Sequence, residues 1–173
     1  MSILLAVLLA GTAFAQSAAP ATYEAVHKML GSPNGQCSAV MIAPSRALTA
    51  AHCLRLSDPS LVINDIAYPV SGSYVIKEGA DIAMLIVPSA PCPCAVVKQT
   101  PSSLYSGLFV VGYPFNLMRV ITTGLYQGQY DNPDDSQQYG VMDARTAPGN
   151  SGGGVFNMQS ELMGIASATN GHL

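Results

Sequence analysis

Charged residues are scarce in this chain of 173 residues and make up 10% of it. There are 7 lysine and arginine residues against 10 aspartate and glutamate residues, so the formal net charge is −3. A surface that binds nucleic acid needs lysine and arginine clustered on one face, and the few basic residues of this chain are scattered along it. We therefore expect no nucleic-acid partner.

A hydrophobic run long enough to cross a membrane is also missing. The apolar run from Met1 to Ala10 is shorter than the ~20 residues that span a bilayer. It is followed by Ala13-Phe14-Ala15, a small-x-small pattern typical of a cleavage site. We interpret residues 1–15 as a secretory signal peptide. The mature chain is then expected to be secreted or periplasmic, with no membrane contact after signal removal.

Cysteine is limited to four residues, which are candidates for disulfides in an oxidising compartment. Cys92 and Cys94 flank Pro93, and two cysteines are too few for a structural zinc site. Their Cα atoms do not easily reach disulfide geometry across a single residue. Free thiols, a strained pair and an intermolecular bridge therefore all stay open for these two residues. We expect neither a metal nor a cofactor.

Helical periodicity is nearly absent from the chain. Only residues 21–30 show the three- and four-residue spacing of an amphipathic helix. Elsewhere, short apolar or alternating runs are separated by Gly, Pro, Asn, Asp and Ser, which is typical of strands and turns. The predicted strands are 37–42, 47–51, 61–64, 67–70, 74–76, 82–87, 107–112, 118–123, 139–143, 153–157 and 162–166. Many short strands indicate an all-β sandwich or barrel.

The turn at residues 147–153 places Ser151 among glycines, where backbone amides can converge. A serine hydroxyl is a weak nucleophile unless a base and an orienting carboxylate assist it. His52 follows a strand-like run and is the candidate base, while Asp81 begins a long apolar run and is the candidate carboxylate. Asp65 is a rival with the same Asp-Ile-Ala pattern, but its segment is typical of a hairpin turn. We prefer Asp81.

Three segments resemble the catalytic blocks of the trypsin-like (chymotrypsin-fold) serine proteases. They are Thr49 to Cys53, Asp81 to Ala83 and Gly149 to Gly153, in the order His, Asp, Ser, one of the orders in which this triad recurs. Two further segments, Gly112 to Leu117 and Asp143 to Pro148, are similar to the bacterial HtrA-type branch. Enzymes of that branch usually carry a PDZ domain after the protease, and we expect none in this protein.

The resemblance implies an all-β fold of two six-stranded Greek-key β-barrels packed face to face. The amino-terminal barrel would cover residues 16–88 with a short leading helix, and the proline-rich segment 89–106 would be the linker between the barrels. The carboxy-terminal barrel would cover residues 107–173. Because the last predicted strand lies close to Leu173, the sequence leaves open whether the second barrel is incomplete at its carboxy-terminal end.

The resemblance also implies a secreted serine endopeptidase that works through an acyl-enzyme. Ser151 would be the nucleophile, His52 its base and Asp81 the carboxylate that orients the imidazole. The backbone amides of Gly149 and Ser151 would form the oxyanion hole. Substrates would be proteins or peptides. The alternative is an inactive or truncated trypsin-like module that binds extended peptides, and the sequence does not determine the oligomeric state.

A disulfide between Cys37 and Cys53 is a further implication of the resemblance. It would bracket the segment that delivers His52, and closing a loop of this size contributes about 3 kcal/mol to stability. The family's substrate pocket maps by motif onto a larger set of residues. Those residues are Arg145 and Thr146 at the base, Ala147 and Pro148 on one wall, and Ala166, Ser167, Ala168 and Thr169 on the other.

The character of these pocket residues bears on specificity. Small uncharged walls favour small aliphatic side chains on the acyl side of the cleaved bond. If Arg145 points into the pocket instead, acidic side chains would be favoured through charge-assisted hydrogen bonds. The backbone from Ser167 to Thr169 is expected to pair with an extended substrate as an added strand.

Overall fold

In this computed structural model, the structure describes residues 20–32, 35–98, 102–133 and 137–167. The predicted signal peptide and two predicted pocket residues, Ala168 and Thr169, lie outside the described residues. A short helix, α1 (Pro20–Glu24), precedes the strands. The strands are β1 (Val26–Ser32), β2 (Gly35–Ala43), β3 (Arg46–Thr49), β4 (Ser57–Ile63), β5 (Ile66–Pro69), β6 (Gly72–Val75), β7 (Ala83–Ile86), β8 (Gly107–Gly112), β9 (Val120–Asn132), β10 (Gln137–Met142), β11 (Gly154–Asn157) and β12 (Leu162–Ile165).

The strands form two curled antiparallel sheets, and the all-β, double-barrel class expected from the sequence is confirmed. The first sheet has the order β5-β4-β1-β2-β3-β7-β6, and the second has the order β10-β9-β8-β11-β12. Among the described residues the strands therefore divide seven and five, where six and six were expected. The first sheet gains a strand because β1 pairs with both β2 and β4.

The helix expected over residues 21–30 is wrong for most of its length. Helix α1 ends at Glu24, and Val26–Ser32 is strand β1. Helical spacing of apolar residues is only a local signal, and sheet pairing overrides it here. Val26 and Met29 are fully buried in this strand, since one packs against the second sheet and the other into the core of the first.

A shared hydrophobic core joins the two sheets. Val40 and Leu48 of the first sheet pack in one cluster with Phe109, Val111 and Phe156 of the second. The rings of Phe109 and Phe156 are stacked with centroids 5.4 Å apart, and contacts of this kind stabilise a core beyond simple burial. Residues carried by different sheets are therefore held in one arrangement, as a site built from both sheets requires.

Two disulfides link the four cysteines. Cys37 of β2 is bonded to Cys53, with the two Cα atoms 6.2 Å apart, as the family resemblance implies. Cys53 belongs to a short 3-10 turn, Ala51–Arg55. Cys92 is bonded to Cys94, which selects the intramolecular pair among the alternatives that the sequence left open. Disulfides of this kind are typical of proteins from oxidising compartments.

A buried histidine lies where β1 meets β2, outside the segments predicted to carry the catalytic residues. His27 is 2% exposed, and among the described residues neither of its ring nitrogens has a hydrogen-bond partner. Burial, and then the positive charge of Arg119, lower the pKa of His27 from 6.5 to about 4. The folded state therefore holds this imidazole neutral at pH values where an unfolded chain would protonate it.

We expect His27 to make folding stability depend on pH. Between pH 6.5 and about 4 the unfolded state binds a proton at His27 that the folded state does not, so stability falls as pH falls through this window. The full loss is about 3 kcal/mol. Urea unfolding followed by circular dichroism from pH 7.5 to pH 5 measures the first part of this loss, about 2 kcal/mol. Most carboxylates stay ionised in that range. His27→Leu should flatten the slope, and equal slopes for wild type and variant would contradict the expectation.

Candidate active site

His52 and Asp81 meet because β3 pairs with β7. Thr49 at the end of β3 lies opposite Ala83 at the start of β7. His52 follows Thr49 by three positions and Asp81 precedes Ala83 by two, so these two residues come together at one edge of the sheet. His52 Nδ1 lies 2.8 Å from Asp81 Oδ2. The backbone N–H of His52 donates to Asp81 Oδ1, also at 2.8 Å. One carboxylate therefore binds both the ring and the backbone of the same histidine.

The Asp81 carboxylate selects the tautomer of the neutral His52 ring. A carboxylate only accepts hydrogen bonds, so Nδ1 must carry the proton that it donates. In the neutral imidazole the other nitrogen, Nε2, then has the free lone pair. This is the tautomer that a general base needs when a serine proton is taken by Nε2.

Ser167 gives Asp81 a third hydrogen bond, since its hydroxyl donates to Oδ2. Burial on its own raises the pKa of Asp81. The hydrogen bonds from the His52 ring, from the Ser167 hydroxyl and from the His52 backbone outweigh it and hold the pKa well below its ordinary value. The carboxylate therefore stays ionised at neutral and mildly acidic pH.

The role of Ser167 at the carboxylate was missed from the sequence, which placed this residue only on the wall of the substrate pocket. Its position two residues after β12 carries no local signal of a partner 86 positions away along the chain. The hydrogen bonds between Ala166 and the Ser151 turn, described below, bring it there.

Ser151 lies in the turn 147–153, which precedes β11. Its carbonyl oxygen accepts a hydrogen bond of 2.7 Å from the backbone N–H of Ser38 in β2. Cys53 Sγ lies 3.8 Å from the same oxygen, so the serine sits against the residue that follows His52. In the described residues no hydrogen bond joins the Ser151 hydroxyl to His52, and such bonds are often long until substrate is bound.

The backbone amides of this turn divide into paired and unpaired groups. Asn150 N–H donates to the Ala147 carbonyl at 3.0 Å, and Gly153 N–H donates to the Asn150 carbonyl at 2.8 Å. Within the described part of the chain, the N–H groups of Gly149 and Ser151 have no such acceptor, although both residues are buried. Most backbone N–H groups of buried residues have a hydrogen-bond partner, so these two unpaired groups are suited to bind an oxygen atom from a ligand.

Glycine is required at position 152 by the packing of the turn. Gly152 has φ +83°, a left-handed conformation that other residues rarely adopt. A β-carbon there would also collide with the Ser38 carbonyl oxygen and the Thr49 hydroxyl. Gly152 N–H donates to the Ala166 carbonyl at 2.7 Å, and Ala166 N–H donates to the Gly153 carbonyl at 2.8 Å. These two hydrogen bonds hold the segment that ends in Ser167 beside the turn of Ser151.

The structure places the predicted pocket residues in two groups. Arg145 and Thr146 are exposed, and the Arg145 carbonyl accepts a hydrogen bond of 2.8 Å from the Thr122 hydroxyl. Ala147 is half-buried and Pro148 is exposed. On the opposite side Ala166 is buried and Ser167 half-buried, and their hydrogen bonds bring them to the Ser151 turn and to Asp81.

An open depression of about 370 Å³ has His52 and Asp81 in its lining. It shares none of the predicted pocket residues. Its lining is Ala51, His52, Arg55, Val75, Gly79, Ala80, Asp81 and Tyr139. His52 and the sulfurs of Cys37 and Cys53 also lie within 4.8 Å of one another, but both sulfurs are committed to the disulfide and offer no thiolate to a metal.

Three solved structures of proteases have folds similar to that of this chain. The Rv3671c protease of M. tuberculosis in its inactive form superposes with a TM-score of 0.75 at 22% identity, covering 87% of this chain and 80% of that one. The HtrA-type protease AlgW with tripeptide has a TM-score of 0.75 at 20% identity, covering 86% of this chain and 52% of its own. A serine endoprotease from Yersinia pestis has a TM-score of 0.73 at 21% identity, covering 86% and 55%.

At these identities the likeness shows the fold alone. No curated protein sequence matches the chain significantly. The described residues include no helix with the length and hydropathy of a membrane span. The family model of the trypsin-like peptidase domain matches residues 37–165, which include His52, Asp81 and Ser151. By that match over most of its length, the chain belongs to the trypsin-like peptidase family.

Proposed function

We propose that this protein is a serine endopeptidase that cleaves peptide bonds with Ser151, His52 and Asp81 as its triad. The observation that carries the proposal is the pair of 2.8 Å hydrogen bonds between His52 and Asp81, made beside the turn that holds Ser151. A histidine held in this tautomer next to a buried serine is the arrangement that activates a hydroxyl for attack on a carbonyl.

In the proposed reaction the Ser151 oxygen adds to the carbonyl carbon of the substrate while its proton passes to His52 Nε2. The imidazolium then gives this proton to the leaving nitrogen as the carbon–nitrogen bond breaks, and an ester on Ser151 remains. Water hydrolyses the ester by the same steps with the same base. Asp81 stays ionised throughout, since its hydrogen bonds hold its pKa well below the ordinary value, and it stabilises the imidazolium.

The negative oxygen of each tetrahedral intermediate would be bound by the N–H groups of Gly149 and Ser151. Both residues are buried, and in the described residues no backbone carbonyl accepts a hydrogen bond from either N–H group. Donors that are fixed before the reaction stabilise the developing charge without reorganisation, and the loss of one typically costs about 10²–10³ in turnover.

Substrates are proposed to be proteins or peptides in extended form. The AlgW structure to which this chain is similar is described with a tripeptide, and residues 167–169 are proposed to pair with such a strand. The small residues Ala147 and Ala166 favour small aliphatic side chains on the acyl side. Digestion of a peptide library with the purified protein would identify the preference, and cleavage after acidic residues would instead assign that role to Arg145.

Secretion or export to the periplasm is proposed from the apolar start of the chain and from the disulfides Cys37–Cys53 and Cys92–Cys94. Disulfides persist in oxidising compartments and are rare in the reducing cytosol.

Labelling with a fluorophosphonate probe tests the proposed function. The probe phosphonylates an activated serine with loss of fluoride, so we expect the wild-type protein to be labelled covalently at Ser151. Labelling should vanish in Ser151→Ala and fall steeply in His52→Ala, because the oxygen is absent in one and the base in the other. Mass spectrometry of the labelled peptide identifies the residue.

Each variant must be shown to be folded by circular dichroism, with both disulfides intact. A folded wild type that takes no label would support the alternative, a trypsin-like module that binds extended peptides without cleaving them. Labelling that persists in Ser151→Ala would reject Ser151 as the nucleophile while keeping the enzyme proposal.

A further inference from the structure

Ser38 of β2 makes three hydrogen bonds to segments that surround the proposed active site. The residue is 0% exposed. Its backbone N–H donates to the Ser151 carbonyl at 2.7 Å, and its hydroxyl donates to the Gly149 carbonyl at 2.8 Å. The same hydroxyl accepts the backbone N–H of Tyr113 at 3.0 Å. The hydroxyl is therefore used as donor and acceptor at once, and each of these three hydrogen bonds joins the first sheet to the second half of the chain.

These bonds control the peptide units next to the two unpaired amides. A peptide unit is planar, so binding a carbonyl oxygen fixes the whole unit to which it belongs. Ser38 holds the unit that follows Gly149 through its hydroxyl and the unit that follows Ser151 through its N–H. The units that contain the unpaired N–H groups themselves are held by Phe115 N–H on the Pro148 carbonyl and by Gly153 N–H on the Asn150 carbonyl, both at 2.8 Å.

Gly149 is the most flexible residue in this series of peptide units. It has φ +98°, and glycine has no side chain to restrict rotation about its backbone bonds. The direction of its N–H group is fixed only when the peptide units on both sides of the Gly149 Cα are held by hydrogen bonds. One is held by Phe115 N–H. The other is held inside the turn by the Asn150 N–H on the Ala147 carbonyl and from outside the turn by the Ser38 hydroxyl.

We propose that Ser38 is a positioning residue that keeps the Gly149 and Ser151 amides directed at one oxygen through its hydroxyl bond to the Gly149 carbonyl. This inference rests on the proposed peptidase function. Ser38 is buried behind the turn and acts through it. Because oxyanion donors bind the transition state more strongly than the bound substrate, disorder among them lowers kcat and leaves KM nearly unchanged.

Ser38→Ala tests the inference. We expect kcat per active site to fall by about tenfold to a hundredfold, less than the 10²–10³ for outright loss of a donor because both amides are still present. KM should change by less than about threefold. The substrate is a fluorogenic peptide chosen from the library digest, and active sites are counted by titration with the fluorophosphonate, so that a misfolded fraction does not count as slow turnover.

Thr22→Val is the matched control. Thr22 is also buried, at 4% exposure, and its hydroxyl also donates to a backbone carbonyl in the other half of the chain, that of Ser160, at 3.0 Å. The substitution therefore removes a buried bond from a hydroxyl to a backbone carbonyl, as Ser38→Ala does, but outside the proposed site. We expect kcat per active site to equal that of the wild type even if thermal stability falls.

A peptide aldehyde of the same sequence provides a second readout. Its addition to Ser151 creates an oxyanion, so its affinity should fall with kcat/KM in Ser38→Ala while the affinity of the uncleaved parent peptide in the Ser151→Ala background does not. If Ser38→Ala is unfolded at the assay temperature, wild type and variants are compared at a lower temperature at which circular dichroism shows all of them to be folded.

An unchanged kcat per titrated site in the folded variant, or an equal loss in Thr22→Val, would overturn the role of Ser38 and leave the peptidase proposal standing. A wild type that is neither labelled nor active would remove the peptidase proposal, and the inference would fall with it.

Discussion

Replacing Ser151 with alanine is expected to lower kcat for peptide hydrolysis by about a millionfold, with little change in KM. Removal of the oxygen removes the acyl-enzyme route altogether, and triad residues that act as one unit show losses of this size. The remaining rate should still exceed that in water by about 10³–10⁴, because the oxyanion donors and the binding of substrate are left in place. Prolonged incubation with the fluorogenic peptide, read by mass spectrometry, measures it.

Ser73→Ala is the control for this substitution. Ser73 is an exposed serine of β6, outside the turn and outside the contacts of His52 and Asp81, so its replacement should leave kcat within about twofold of the wild-type value. If Ser151→Ala kept more than a hundredth of the wild-type kcat, Ser151 would not be the nucleophile.

Replacing Asp81 with asparagine is expected to lower kcat at neutral pH by about ten-thousandfold. The amide can present its NH₂ group to His52 Nδ1, which then accepts, so that the ring proton moves to Nε2 and the base loses its lone pair. The negative charge that stabilises the imidazolium is lost as well. The shape of the side chain is nearly kept, so the fold should survive. Steady-state kinetics measure the loss of turnover, and circular dichroism shows whether the variant is folded.

Asp65→Asn is the matched control, since Asp65 has the same Asp-Ile-Ala context in sequence. The structure places it in the exposed turn between β4 and β5, where no catalytic role is expected, and its kcat should match that of the wild type. A large loss in Asp65→Asn together with normal turnover in Asp81→Asn would reverse the assignment of the carboxylate.

Most strands could be predicted because alternation of apolar residues is a local property. The predicted runs 37–42, 107–112 and 153–157 each overlap a strand, namely β2, β8 and β11. Strand β1 was missed because its buried residues face both sheets and show no two-residue alternation, with Val26 and His27 buried in succession. Local spacing there favoured a helix, and long-range pairing with β2 and β4 decided otherwise.

The candidate site was only partly accessible to sequence reasoning. The residue types of a nucleophile, a base and a carboxylate can be recognised from their motifs, as can a turn that needs glycine. Ser38 and Ser167 have no such motif, since each is a single serine whose importance lies in what it touches. Ser167 donates to Asp81 across 86 positions, and Ser38 donates to Gly149 across 111.

The sequence by itself determined the chemistry available to this protein: a serine in a glycine-rich turn, a histidine after a strand, an aspartate before another, and strands that alternate in a two-residue period. The tertiary structure decided which of these groups meet. The register of β3 on β7 brings Asp81 rather than Asp65 to His52, and the packing of β2 against the turn brings Ser38 to the Ser151 segment. Contacts between residues distant in sequence depend on how whole strands pair, and no local pattern encodes that pairing.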